Sequence, residues 1–379
     1  MKSTKLNTFL VRALVPFLFL ILTAVAAPLS GLSGGYLLEQ ILIRLVRNSF
    51  LVLALILPIL AGMGINFGLT LGAMAGQIGL IFAQNFGITG VPGLLLAALI
   101  GAPIAAGLGW FSGNVLNRAK GREMITSMML SFFIAGIYQF FLLYVCGWII
   151  PFKDKSMILS RGYGVRNSLT LNTAGGFDSF TDNFLTRLLG SPLYIGDFKI
   201  PFLTLFLIAA LCVFTIWFKK TKLGQDMRAV GQDMAVASSA GINVDRTRII
   251  SVIISTVLAC FGQIIYLQNI GTMNVYNGAD QAALYAAAAL LIGGATVASA
   301  TIGNALFGTI LFHLLFIVMP LAGKTVTGSA MIGEYLRTFI SYSVVTLALI
   351  LHAWRKNKEK EMERSLMREQ RLIRTTQNT

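Results

Sequence analysis

Charge is what this sequence has least of. Of its 379 residues only 12% are Asp, Glu, Lys or Arg, against 56% hydrophobic, whereas a soluble domain carries roughly a quarter charged residues and nearly half apolar ones. That leaves too little polar surface to cover the chain in water, so lipid must be the solvent for much of it. Cysteine is also scarce. Cys146, Cys212 and Cys260 each lie inside an apolar run, which gives no disulfide framework and no metal-ligand spacing and makes them packing residues. Histidine occurs twice, and nothing resembles the grouping of His, Asp, Glu or Cys that acid–base, metal or nucleophilic chemistry needs. A membrane-embedded enzyme is therefore disfavoured; no catalytic residue, metal site or cofactor is expected.

What the chain has in quantity is apolar runs. A helix needs about 20 apolar residues to cross a bilayer, and runs suited to this lie near 11–29, 49–65, 68–86, 92–116, 124–150, 201–218, 249–268, 282–298, 302–321 and 335–354. They predict an all-α integral membrane protein of about ten transmembrane helices, some of them broken. Residues 1–354 form the membrane domain, with an extracytoplasmic loop at 151–200 and a cytoplasmic loop at 219–248, and residues 355–379 form a charged cytoplasmic tail. The net charge of +15 would suit a nucleic-acid binder, but the basic residues sit at the edges of the runs and in the tail. With the N-terminus inside, 20 of the 30 Lys and Arg fall on the cytoplasmic side, as the positive-inside bias requires. Both termini are then cytoplasmic, and a lipid bilayer rather than nucleic acid is the partner.

Two segments near the start admit alternatives. Ala24-Val25-Ala26-Ala27 resembles the end of a signal peptide, although the run is read as an uncleaved first span. Residues 37–46 carry apolar side chains at helical spacing with Glu39 and Arg44 between them, which suits either a helix on the membrane surface or an extension of the second span. The 151–200 loop, rich in Gly, Asn, Ser and Asp, reads as an outer lobe where a soluble partner is met.

Many glycines mark close helix packing, since small residues let backbones approach where lipid provides no drive to associate. The exception is Gly62-Met63-Gly64-Ile65-Asn66-Phe67-Gly68, where glycines flank an amide inside an apolar region. A helix interrupted there leaves backbone groups unpaired, which is tolerated only against protein or a water-filled path. A second such region spans 271–278, and the two halves share a coarse layout. Ionisable side chains are almost absent from the runs, which argues against a proton- or sodium-coupled carrier. The candidate substrate path is neutral and polar: Asn66, Gln77, Gln84, Thr126, Ser127, Ser131, Asn274, Tyr276 and Gln281. Amides and hydroxyls suit an uncharged, hydroxylated solute, and interhelical hydrogen bonding is an equal reading for each residue alone.

The most informative polar stretch runs from Thr221 to Ile242. After Gly231 it offers a short helix, capped at its start by Gln232 or Asp233, carrying Ala235, Ala237, Ser238 and Ala240 and stopping at Gly241. Such a helix suits insertion into another protein's groove. A linker helix on the membrane surface is the alternative.

This stretch resembles the ATPase-coupling loop of permease subunits in ATP-binding cassette (ABC) importers of the simple sugar, nucleoside and branched-chain amino acid family. The matching residues are Gly224, Arg228-Ala229-Val230-Gly231, Ala237 and Gly241-Ile242-Asn243-Val244, with Asp233 where the family often has Asn. Gly64-Ile65-Asn66-Phe67-Gly68 is similar to the family's early glycine-flanked span, with Asn66 where many members have Asp, and Leu291-Ile292-Gly293-Gly294-Ala295 and Ile302-Gly303-Asn304 to its late spans. The resemblance covers roughly residues 50–350. It implies a permease of the bacterial inner or plasma membrane that works with a second permease subunit, a pair of cytoplasmic ABC ATPase subunits and an extracytoplasmic solute-binding protein. It also implies a coupling role for Arg228, Gly231, Asp233, Ala237 and Gly241. No G-x-x-x-x-G-K-[ST] phosphate loop occurs, so the chain does not itself hydrolyse ATP. The solute expected is a simple sugar such as ribose or galactose, or a nucleoside; the alternative is a stand-alone secondary carrier or channel for a small neutral solute.

Overall fold

The computed structural model describes residues 2–172, 176, 194–195, 198–199 and 202–339, together with 342, 343, 346 and 350. The tail at 355–379, nearly half of the 151–200 loop and much of the expected 335–354 span lie outside them. The described chain is all-α apart from short strands. Its helices are α1 (Lys2–Leu29), α2 (Gly34–Ala54), α3 (Ile56–Leu60), α4 (Leu69–Asn85), α5 (Gly90–Arg118) and α6 (Glu123–Phe140). They continue as α7 (Phe202–Lys220), α8 (Lys222–Gln232), α9 (Met234–Ser239), α10 (Val244–Ile270), α11 (Ala282–Ile292) and α12 (Ile302–Thr327). A further helix occupies 330–339.

Among the described residues, six helical segments are long and apolar enough to cross a membrane: Gly34–Leu60, Gly90–Arg118, Glu123–Val145, Phe202–Lys220, Val244–Ile270 and Ile302–Thr327. Of the two readings of residues 37–46, the structure has the helical extension, for α2 runs unbroken from the Ser33 cap through Arg44 and Arg47. The run at 68–86 becomes α4, 17 residues long, and the run at 282–298 becomes the 11-residue α11.

The solvent of this fold is most legible on α6. Its buried side chains are all polar, Glu123, Ser127, Ser131 and Tyr138, while Ile125, Met129, Phe132, Phe133 and Phe140 are exposed. A helix that hides its polar stripe and shows its apolar face is stable only where the surroundings are hydrocarbon. The opposite case is α4, packed between α5 and α10 and buried continuously from Leu69 to Gln77. Glycine makes this possible: a Cβ at Gly72 would sit 2.1 Å from the Thr256 carbonyl oxygen of α10. Cys146 and Cys260 are buried and unpaired in the same core, and Cys212 is half-buried.

The helices give the molecule two ends. At one, Lys120 meets Asp245 at 2.6 Å, just beyond α5 and at the start of α10. At the other, Gln84 near the end of α4 donates to the Thr170 carbonyl at 2.8 Å. There β1 (Ser168–Thr170) pairs antiparallel with β4 (Thr272–Asn274), directly after α10 ends at Gly271 with φ +80°. The segments 117–123 and 219–248 thus share one end, and 151–171 lies at the other. A second ribbon pairs β2 (Tyr194–Ile195) with β3 (Phe198–Lys199).

Candidate functional site: two helix breaks and the segment seated on one of them

The polar residues singled out from sequence gather mainly at the two helix breaks. The first follows α3. Gly62 and Gly64 have φ of +73° and +69°, conformations that favour glycine, and the chain stays non-helical until Leu69. Its exposed backbone is clasped by α6: the Phe67 N–H donates to Ser127 Oγ at 3.1 Å, and Ser131 Oγ donates to the Phe67 carbonyl at 2.9 Å. Asn66 is only 2% exposed; its Oδ1 accepts from the Gly68 N–H at 2.9 Å while its Nδ2 has no partner. Either Phe67 group left unpaired in this setting would cost about 1–3 kcal/mol, so the two serines hold the break in shape. In this conformation the break is closed in by protein. Thr126, next to Ser127, does not join it and bonds back to the Arg122 carbonyl of its own turn.

The second break, 271–281, lies at the far end. Fully buried Gln77 donates to the Asn274 carbonyl at 3.3 Å and accepts from Tyr138 Oη at 2.9 Å. Tyr138 also reaches the Val275 carbonyl at 2.8 Å, and the Tyr276 hydroxyl donates to the Val165 carbonyl. Gln77, Asn274 and Tyr276 are therefore brought together with the strap 165–170, whereas Gln281 points elsewhere, its Nε2 3.3 Å from Tyr342 Oη. Tyr138 was missed from sequence, although the polar stripe Glu123, Ser127, Ser131 and Tyr138 at helical spacing on an otherwise apolar segment was a signal for it.

The third assembly joins the polar 219–248 segment to the first break. Thr221 caps α8 by accepting from the Gly224 N–H. Buried Met227 packs with Leu57 and Ala61 of the α3 turn. At Gly231 the contact becomes backbone on backbone: a Cβ there would lie 2.1 Å from the Leu60 carbonyl oxygen, and one on Gly62 would lie 2.9 Å from Gly231 Cα. Asp233 then caps α9, its Oδ1 accepting from the Ala235 and Val236 N–H groups at 2.8 and 3.1 Å, and Gly241 turns the chain with φ +83°. On this short helix Ala237 faces inward and is 3% exposed, while Val236 is 64% exposed. Arg228 is exposed on α8. α9 follows directly on α8, and α8 meets Leu60–Gly62 backbone to backbone at Gly231.

A buried ion pair, also missed from sequence, ties this segment to α6. Arg248, near the start of α10, is fully buried and pairs with Glu123 in the first turn of α6. Its Nη1 lies 3.7 Å from Met234 Sδ on α9. Both residues fall at run edges in the sequence, where they look solvated. Such a pair contributes little net stability, but removing one partner strands a charge at a cost of about 3–5 kcal/mol.

Residues 37–351 match a family described as the permease component of branched-chain amino acid transport systems. The nucleoside ABC transporter permease protein NupB of Lactococcus lactis is 29% identical over 206 residues, 53% of this chain and 51% of that protein. The galactose/methyl galactoside import permease protein MglC of Haemophilus influenzae is 29% identical over 208 residues, 54% of this chain and 58% of that protein. The autoinducer 2 import system permease protein LsrD of Escherichia coli is 28% identical over 187 residues, 49% of this chain and 46% of that protein. The chain thus spans about half the length of the curated relatives it matches. No solved structure matches it.

Proposed function

Because the chain belongs to this permease family, we propose that it is the membrane-spanning subunit of an ABC importer, driven by separate ATPase subunits and carrying a neutral hydroxylated solute, a simple sugar or a nucleoside. In this reading two permease subunits, identical or paralogous, pair in the bacterial cell membrane with both termini inside. An extracytoplasmic binding protein delivers the solute at the β1–β4 end. The chain crosses the bilayer about ten times, with α1 and the shorter helices α4 and α11 counted among the spans. It supplies a conduit and performs no chemistry, as expected of permeases, which are not enzymes.

The observation that carries the proposal is the backbone contact of Gly231 with Leu60 and Gly62. It connects the segment that would dock on an ATPase to the first of the two helix breaks. ATPase closure would push α9, α8 would pass the displacement to the α3 turn, and the clasp at Phe67 would switch between two packings, a two-state change biased by nucleotide and binding protein. Arg228 and the exposed edge of α9 would face the ATPase, while Asp233, Ala237 and Gly241 fix the shape of the knob.

The docking surface is tested at Val236, whose side chain is 64% exposed. Val236→Glu is expected to leave the amount of chain in the membrane unchanged and to reduce solute uptake by about tenfold or more, because an unpaired carboxylate would be buried in the partner's groove. Uptake equal to that of the native chain would remove α9 as the docking element.

A further inference from the structure

A cavity of about 60 Å³ lies between α2, α10, α11 and α12. Its polar wall consists of the amides of Asn48, Gln263 and Gln281, the phenols Tyr266 and Tyr285 and the imidazole of His313, over an aliphatic floor. Of these only Gln281 was a sequence candidate. His313 is 7% exposed, and its Nδ1 has no hydrogen-bond partner. On its own helix it meets only the rings of Phe312 and Phe316, at 5.1 and 5.9 Å. A buried polar atom left unpaired is costly, and the His313 side chain stands in the wall of a cavity otherwise lined by amides, phenols and aliphatic groups.

Three cations lie near the cavity, Arg44, Arg47 and Arg337, and none of them lines it; the Nε of Arg44 is buried without a hydrogen-bond partner. Arg47 Nε donates to Asn269 Oδ1 at 2.9 Å, with its guanidinium 6.0 Å from the Tyr266 ring. Arg337 pairs with Glu334 and lies 4.4 Å over Phe316, whose ring meets Tyr285 edge-on at 5.3 Å. Arg47 and Arg337 are thus engaged with the aromatic wall, and no Arg, Lys, Asp or Glu side chain lines the cavity itself. Amides and hydroxyls read the hydroxyls of a ring, while aromatic and aliphatic surfaces receive its C–H face. The cavity is much smaller than ligand pockets of roughly 300–1,000 Å³, so it admits one edge of a solute and not the whole of it.

We propose that this cavity is a contact site for the transported solute, gripping the edge of an uncharged hydroxylated ring with His313 hydrogen-bonded to a ring hydroxyl; this rests on the permease reading above. It is a way-station apart from the Asn66 cluster but beside the second break, for Gly278 lines it and Gln263 Nε2 donates to the Gly278 carbonyl at 3.4 Å; His313, unlike Gln77, holds no backbone group of that break.

The test uses the full chain in membranes, with Cys146, Cys212 and Cys260 replaced by Ala and Gln263→Cys introduced. Labelling by a membrane-impermeant methanethiosulfonate is followed with and without saturating D-galactose or adenosine. The site predicts that the cysteine is labelled and that one of the two solutes slows labelling by about tenfold or more. His313→Phe should abolish that protection. Because this variant fills a buried position, Tyr285→Phe, which removes only a hydroxyl, serves as the second; it should weaken protection roughly fivefold. Absence of labelling, labelling that neither solute slows, or slowing by galactose 6-phosphate but not by galactose would each overturn the proposal. Protection without any ATP requirement for uptake would sink the importer reading and leave this site standing.

Discussion

Replacing Gly231 with valine is expected to abolish solute uptake while leaving the chain inserted and its ATPase partners able to hydrolyse ATP. The reason is steric. A Cβ at this position would stand 2.1 Å from the Leu60 carbonyl oxygen and 3.1 Å from the Gly62 nitrogen, both backbone atoms that cannot rotate away. Overpacking a well-fitted contact costs about 1–3 kcal/mol when neighbours can adjust; here the relief must come from moving α8 off the α3 turn, which in the proposed mechanism would uncouple the docking segment from the first break. Even Gly231→Ala should reduce uptake about tenfold, since the first added carbon makes the clash. The measurement is uptake of labelled solute alongside ATP hydrolysis by the assembled transporter. Hydrolysis retained with uptake lost is the expected pattern. Native uptake in Gly231→Val would mean that α8 and the break are not in mechanical contact.

The second large effect concerns Arg248 and Glu123. Arg248→Met leaves the Glu123 carboxylate nine-tenths buried beside no cation, and Glu123→Leu leaves a fully buried guanidinium. Each single change should cost about 3–5 kcal/mol of stability. The double variant Glu123→Leu with Arg248→Met removes both charges and puts apolar volume in their place, which is often neutral for buried pairs. Heating the purified chain in detergent and following the monodisperse fraction should show both single variants failing at a lower temperature and the double variant recovering most of the loss. A double variant that loses the sum of the two single effects would show that the charges do not interact across the α6–α10 contact.

Much of this architecture was legible in the sequence because it is written in local signals. Apolar runs marked the long helices, the Gly62–Gly68 glycines marked the first break, and Gly241 marked the end of α9, whose start was narrowed to Gln232 or Asp233 and is capped by Asp233. What could not be read was which residues distant in sequence meet. Glu123 and Arg248, 125 positions apart, look like loop charges until the fold brings them together. Likewise, nothing local announces that 168–170 pairs with 272–274. Ala237 was picked out for its small size, but a six-residue helix has too little periodicity to tell its buried face from its exposed one, and it is Val236 that points outward. The polar residues of the spans divide for a physical reason as well. Inside lipid an unpaired backbone group is costly, so Ser127, Ser131 and Gln77 are drawn to the breaks, and the sequence alone could not separate that duty from lining a path.

In the proposed mechanism this chain conducts solute but does not drive it. The direct measurement is accumulation of labelled galactose and nucleoside in sealed vesicles that contain the purified chain, either alone or with its ATPase subunits and binding protein, with and without ATP. Concentrative uptake only when the ATPase subunits and ATP are both present is the predicted result. Accumulation by the chain alone, against a gradient and without nucleotide, would contradict it.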